Sequence, residues 1–355
     1  MRLTCRAWRA ALDPFITAIQ PRRLEGSDIS TTVTRFLGLE SLSLTALALV
    51  SCMKLQPAAG FAIASLTRLQ KLSVPDFALH IRCTYQECQP CAAKLAMIRH
   101  LTGLRDLNLS SHNHVTEQMF DSLRYLTQLT RLHVPGRDGE DNFHQLLMTR
   151  AYSGANMAHI HQLLQALTNL RHLDLSELGE RLMSTALVGV GTCTQLTWLN
   201  LESNRTIDDS CIAYLGGCLE LVHLDISSTQ VSGAGLAALS NVTKLQHLDL
   251  SGTAVGDEIA MTSFLPQQRF LRSLSLAQCR ISDAGLPALS GLTNLRSLSL
   301  AYAIEITTAG VLNHVLPLTR HSLSKLRLNG CRLSPEVRKS ADCCILSGIP
   351  SAFRW

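Results

Sequence analysis

Three copies of His-Leu-Asp, at His172–Asp174, His223–Asp225 and His247–Asp249, set an imidazole two residues from a carboxylate. Alternate residues of a strand point to one face, so each copy has the makings of an acid–base pair. A second constellation, His80-x-x-Cys83-x4-Cys88-x-x-Cys91, offers four metal-ligand types with two x-x spacings, a pattern that suits a small zinc site. Both have plainer explanations. The His-Leu-Asp copies occupy equivalent places in a repeating pattern, which points to duplicated units rather than three active sites. The gap between the two halves of the second motif is short, its ligand order is unusual, and the chain carries 12 cysteines in all. A loop with incidental thiols is the preferred reading there, with zinc as the alternative. The sequence has no phosphate-binding glycine loop ending in Lys-Ser or Lys-Thr and no nucleophile elbow. We expect no catalysis and no cofactor.

The elements that position these residues follow from one phrase. Leu221-x-x-Leu224-x-Ile226 recurs as Leu245-x-x-Leu248-x-Leu250, Leu271-x-x-Leu274-x-Leu276 and Leu295-x-x-Leu298-x-Leu300. A small or turn-forming residue follows each phrase (Thr229, Thr253, Cys279, Ala303), then a β-branched one (Val231, Val255, Ile281, Ile306). Ala234-Gly235-Leu236, Ala284-Gly285-Leu286 and Ala309-Gly310-Val311 then read as closing turns. Each unit is a short strand, a corner and a short return helix. Eleven phrases start at Leu39, Leu69, Leu104, Leu129, Leu170, Leu196, Leu221, Leu245, Leu271, Leu295 and Leu323, with steps of 24 to 28 residues from Leu170 onward and 25 to 41 before it.

A fixed step of this length resembles the leucine-rich repeat, and the fold class expected is an α/β leucine-rich-repeat solenoid. One unit cannot bury its leucines alone, so units must stack, their strands forming a parallel sheet with a spacing of roughly 4.8 Å. Helices are wider, about 10 Å across. The stack should therefore curve, with strands on the concave side and helices on the convex side. Leu173, Leu199, Leu224, Leu248, Leu274 and Leu298 should be buried. The residues between them should form outward columns: His172, Trp198, His223 and His247; then Asp174, Asn200, Asp225 and Asp249; then Ser176, Glu202, Ser227 and Ser251. Asp225 and Asp249 should oppose each other on adjacent strands, a crowding that a basic peptide segment would relieve, with Trp198 offering a cation–π surface. Consensus filler on a solvated sheet is the competing reading. Protonation of the histidines below about pH 6 should weaken such binding.

Composition agrees with a binding protein. Hydrophobic residues make up 46% and charged ones 17%, which rules out wholesale disorder. Net charge is +5, and no basic run is interleaved with aromatics, so no nucleic-acid partner is expected. Apolar stretches such as Leu44–Met53 are too short to span a bilayer, and no membrane partner is expected. Cys279 and Cys331 take the corner position held elsewhere by Asn204, Thr229 and Thr253, while Cys193 and Cys218 replace leucine or valine. They read as small buried hydrophobes in a reducing compartment, cytoplasmic or nuclear, since no secretory signal is recognised.

The first two dozen residues leave the repeat. Leu3, Trp8, Leu12 and Ile16 share one side of a helix that breaks at Asp13-Pro14. A polar-backed cap and an arginine-rich targeting peptide are two readings. Cys5-Arg6-x-Trp8-Arg9, followed by Asp13-Pro14, also resembles the last part of an F-box, the helical module that docks on the Skp1 adaptor of cullin-based ubiquitin ligases. The resemblance covers about 14 residues; the family's earlier Leu-Pro motif and two preceding helices are not among them. It implies a substrate receptor of an SCF-type ligase, with Leu3 and Trp8 as Skp1 contacts and weak or absent Skp1 binding by this stretch alone. The alternative is a free-standing repeat scaffold. The expected organisation is residues 1–24 as F-box remnant or helical cap, 25–333 as solenoid, and 334–355 as terminal cap and tail. Insertions fall at Pro75–Leu95 and Pro135–Asn156, the second leading into a helix near Met157–Leu167.

Overall fold

The computed structural model describes residues 18–19, 40–43, 66–73, 97–109, 121–134, 155–179, 182, 184–257, 259–319 and 323–334. Strands form where the leucine phrases place them. β2 (Ser41–Ser43), β3 (Lys71–Ser73), β4 (Asp106–Asn108), β5 (Arg131–His133) and β6 (His172–Asp174) lie in a first compact unit, Met1–Arg181. β7 (Trp198–Asn200), β8 (His223–Asp225), β9 (His247–Asp249), β10 (Ser273–Ser275), β11 (Ser297–Ser299) and β12 (Lys325–Arg327) lie in a second, Leu182–Trp355. Each of these begins two residues after its predicted repeat start.

The expected number of eleven needs one addition. A two-residue strand β1, Ala18–Ile19, pairs in parallel with β2, Ala18 opposite Ser41 and Ile19 opposite Leu42. The open edge of the first repeat offers unpaired backbone groups that any extended segment can satisfy, and two residues carry no periodicity by which to be noticed. Leu3 and Trp8, the Pro75–Leu95 insertion with His80, Cys83, Cys88 and Cys91, and the segment after Ser334 lie outside the described residues. The helix expected near Met157–Leu167 runs over Ala155–Ala166.

Register is kept leucine over leucine. Leu42, Leu72, Leu107, Leu132 and Leu173 align through the first unit. Leu199, Leu224, Leu248, Leu274, Leu298 and Leu326 align through the second. Slippage by one residue would turn every leucine to water, so the buried face holds the register. Leu173, Leu199, Leu224, Leu248, Leu274 and Leu298 are all buried as expected, none more than 2% exposed.

On the helical side of the second unit, short segments cover the same core: α-helical Ser184–Val190, Asp209–Ile212, Gly233–Ala237 and Ile259–Phe264, and 3-10 turns at Ala213–Gly217 and Leu286–Gly291. A ladder of carboxylates links them. Asp209 accepts the amide of Ser232 at 2.7 Å and its hydroxyl at 2.6 Å. Asp257 holds Ser282 in the same way, the amide at 2.9 Å, and Asp283 holds Thr307 at 2.8 and 2.5 Å. The hydroxyls in turn accept from the chain that follows: Ser232 from the Ala234 amide at 3.1 Å at the start of its helix, and Ser282 from the Ala284 amide at 3.2 Å in the turn before its 3-10 segment. Ser232 thus caps a helix and donates to the carboxylate of the preceding repeat.

This ladder corrects the reading of Ala-Gly-apolar as a closing turn. Gly235 and Gly310 lie in the first turns of helical segments, and Gly285 has φ −83° and ψ −21° just before its 3-10 turn. None needs glycine for its backbone angles. A Cβ at any of the three would overlap the carboxylate of Asp209, Asp257 or Asp283 in the preceding repeat. Glycine is there to admit a neighbour's side chain.

One core position breaks the pattern. Gln268 stands where other repeats place Leu167, Cys193, Cys218, Val242 or Leu292, and it is fully buried. Neither its amide nitrogen nor its oxygen has a hydrogen-bond partner. Leaving such a group unpaired costs about 1–3 kcal/mol. We expect Gln268→Leu to stabilise the protein by about that amount, read as a rise in the urea midpoint; an unchanged or lower midpoint would show that the amide is satisfied in solution.

Candidate protein-binding face

The outward positions line up as columns in the second unit. Trp198 is opposite His223, which is opposite His247; Asn200, Asp225 and Asp249 form the next column. Trp198 and His223 stack with ring centroids 4.9 Å apart and planes 12° apart, and His223 meets His247 at 5.6 Å, tilted by 37°. Parallel strands bring like positions side by side, so a repeated aromatic or imidazole becomes a continuous platform. Of the face predicted from sequence, His172 and Asp174 belong to the first unit and are described with it.

The carboxylates of the second column are engaged inside the chain. Asp225 accepts the Ser227 amide at 2.9 Å and hydroxyl at 2.6 Å on one oxygen. Asp249 does the same with Ser251, whose amide lies at 2.9 Å, and the Ser251 hydroxyl reaches on to that of Ser275 at 2.6 Å. Asn200 accepts the Glu202 amide at 2.9 Å. These are side-chain turns that end a strand. The crowding of Asp225 against Asp249, which sequence reasoning offered to a partner's cation, is thus met by donors two residues away. Ser227 and Ser251 were legible as that signal, since Asp-x-Ser recurs at both places.

Immediately beyond comes a left-handed residue in every repeat of this unit: Ser203, Ser228, Gly252, Gln278, Tyr302 and Gly330 have φ between 55° and 81°. For a residue with a Cβ this costs about 1–2 kcal/mol. What it secures is a backbone bond to the next repeat: Ser228 N–H to Ser251 O and Gly252 N–H to Ala277 O, both at 2.7 Å. Only two of the six are glycine, which is why the sequence pattern points to a corner one residue later, at Thr229 and Thr253. Those threonines are buried and donate back to Ile226 and Leu250 carbonyls at 2.6 Å. At the same position Cys279 and Cys331 reach the Leu250 and Leu300 carbonyls at 3.0 Å. Burial pushes the Cys193, Cys211 and Cys218 thiols up to about 11, 11 and 12, which suits core packing and not nucleophilic attack.

In the first unit the face carries paired charge. Lys71 lies opposite Asp106 and bonds to it at 3.1 Å; Asp106 lies opposite Arg131, and Arg131 opposite His172. Asp174 accepts the Ser176 amide at 3.1 Å and hydroxyl at 2.8 Å, and meets His133 Nδ1 at 3.4 Å. The His133 and His172 rings pack at 4.5 Å.

Titration of this face runs against the pH dependence expected from sequence. Burial, then the neighbouring His133 and Arg131 charges, pull His172 down to about 4, and burial followed by His247 lowers His223. His172 therefore stays neutral at pH 6, and His223 is shifted in the same direction, so these two resist gaining the charge that would repel a cationic partner. Their titration bears instead on stability. A histidine takes up its proton near 6.5 when unfolded, so the unfolded chain binds more protons as pH falls from about 6.5 towards 4, and folding weakens over that window. Asp174 extends the loss to lower pH. Burial alone would raise its pKa, but hydrogen bonds from His133 and Ser176 outweigh that and hold it below the usual value; its contribution is present above that usual value and disappears as pH drops through the lowered one. The thermal midpoint should fall between pH 7 and 4.5, and His172→Gln should shrink the fall. An undiminished fall in the variant would place its source elsewhere.

Three stretches, 218–240, 243–262 and 267–290, match the leucine-rich-repeat family model. The crystal structure of an internalin from Listeria monocytogenes superimposes with a TM-score of 0.52 at 17% identity, over 85% of this chain and 77% of that one. No curated protein matches the sequence. The fold is a leucine-rich-repeat solenoid. Domains of this kind generally serve as protein-interaction modules, typically without catalysis of their own. Among the described residues no group of three or more His, Cys, Asp or Glu is placed to hold a metal, and no helix is long and apolar enough to cross a membrane.

Proposed function

We propose that this chain is a non-catalytic protein-recognition subunit that holds a partner on the outward face of its strands, and that it serves as the substrate receptor of an SCF-type ubiquitin ligase acting in the cytoplasm or nucleus. The observation that carries the first half is the in-register platform of Trp198, His223 and His247, flanked by Asn200 and Glu202. Adjacent rings on a rigid sheet present contact area without the loss of much side-chain freedom, the property that places aromatic residues at the centres of interfaces. His172 and Asp174 offer comparable outward positions in the first unit.

The second half is supported by the likeness of Cys5-Arg6-x-Trp8-Arg9 to the end of an F-box, where Leu3 and Trp8 would meet Skp1. Purified Skp1 mixed with the tagged 355-residue chain tests it. Skp1 should be retained, weakly, and lost on Trp8→Ala. Retention that persists in Trp8→Ala would remove the contact assigned to that residue. A chain that retains no Skp1 would leave a free-standing repeat scaffold as the better description.

A further inference from the structure

The charges on the outward face of the second unit fall into two classes. On β7–β9 the strand-borne acids are consumed as turn acceptors, Asp225 by Ser227 and Asp249 by Ser251. Beyond Asp249 the outward strand positions contain no acid: they read Ser273 and Ser275 on β10, Ser297 and Ser299 on β11, then Lys325 and Arg327 on β12, with Arg272, Arg296 and Ser324 as the residues just before each strand. Arg272, Arg296, Lys325 and Arg327 are all exposed, and among the described residues none has a carboxylate partner. The first unit shows the opposite arrangement, with Lys71 bonded to Asp106.

The four cations are held close by backbone pairing. The carbonyl of Arg272 accepts the amides of Arg296 at 2.8 Å and Ser297 at 2.9 Å, and the carbonyl of Arg296 accepts those of Ser324 and Lys325 at 2.8 Å. Arg272 and Arg296 therefore stand just ahead of adjacent strands at the same level, roughly 4.8 Å apart at the backbone. Lys325 and Arg327 stand opposite Ser297 and Ser299. Like charges so placed repel, and the four serines between them are too short to screen one from another. The strands present serine hydroxyls, with Arg272 and Arg296 exposed at their entry and Lys325 and Arg327 exposed on the last strand. That arrangement takes carboxylates, which arginine can bind through two parallel N–H bonds.

We propose that strands β10–β12 form the docking site for an acidic segment of a partner protein, bound in extended form across the strands with its Asp and Glu side chains among Arg272, Arg296, Lys325 and Arg327. Two strand spacings, about 10 Å, match about three residues of extended chain, so a short acidic run suffices. The inference rests on the reading of this face as a protein-binding one, and it gives that face a polarity: the aromatic platform at β7–β9 and an anion site at β10–β12.

Fluorescein-labelled decaglutamate, decaglutamine and decalysine, titrated into the full chain by anisotropy, test the site. Decaglutamate should bind, weaken with added salt as exposed charges are screened over about 8–10 Å, and lose affinity about tenfold or more when Arg272, Arg296, Lys325 and Arg327 are all changed to Gln. A control removing four cations elsewhere (Arg205, Arg269, Arg280 and Arg332 to Gln) should change it less than about threefold. The two variants should melt together, since every substituted side chain is exposed. Equal binding by wild type and the first variant would overturn the inference, as would equal loss in both variants or no binding of decaglutamate. Decalysine should bind more weakly than decaglutamate; equal binding of the two would overturn the inference while leaving protein recognition on this face in place, and the Skp1 experiment tests the ligase reading separately.

Discussion

Leu248→Ala should lower the unfolding free energy by about 2–5 kcal/mol, the range for a buried leucine truncated in a close-packed interior. Leu248 is 2% exposed and sits between Leu224 and Leu274 in the leucine column. Its neighbours cannot close over the gap, because each is fixed by strand pairing on both sides. In a stack of repeats stability is close to a sum of unit and interface terms, so one truncation weakens two interfaces. Chemical denaturation of the variant should therefore show an early loss of the second unit. An unchanged midpoint would mean that Leu248 does not face the core.

Gly285→Ala should cost about 2–4 kcal/mol, against the usual sign for such a change. Its angles, φ −83° and ψ −21°, suit alanine, and a glycine replaced at a compatible site ordinarily stabilises by about 0.4–1 kcal/mol. Here the new Cβ would overlap the Asp257 carboxylate and lie 2.9 Å from Ile281 Cγ1. Either the backbone shifts or Asp257 releases the Ser282 amide and hydroxyl it holds. The decisive measurement is a double-mutant cycle. Once Asp257→Ala has removed the carboxylate, adding Gly285→Ala should cost little more. Full additivity would show that the glycine is needed for some other reason.

How much of this was legible in the sequence differs by feature. Strand positions were, because a leucine at alternate places can satisfy its burial in one register only. The buried cysteines and the corner threonines followed from the same periodicity. Beyond its reach were Ala18–Ile19, too short to carry a pattern, and the left-handed corner residues, most of which are not glycine.

The outward columns show where sequence stops. That Trp198, His223 and His247 share a face, with Asp225 beside Asp249, is a consequence of the repeat alone. Asp-x-Ser places a donor two residues from each acid, but the rotamer that turns Asp225 to Ser227 and Asp249 to Ser251 is read only from the structure. Equally, Asp257 and Gly285 are 28 positions apart in sequence, and only stacking makes one the reason for the other. A repeat specifies backbone positions through burial, which acts on each unit alike. Hydrogen bonding and ion pairing between side chains of different repeats are decided unit by unit, by which neighbour stacking delivers, and so they belong to the tertiary structure.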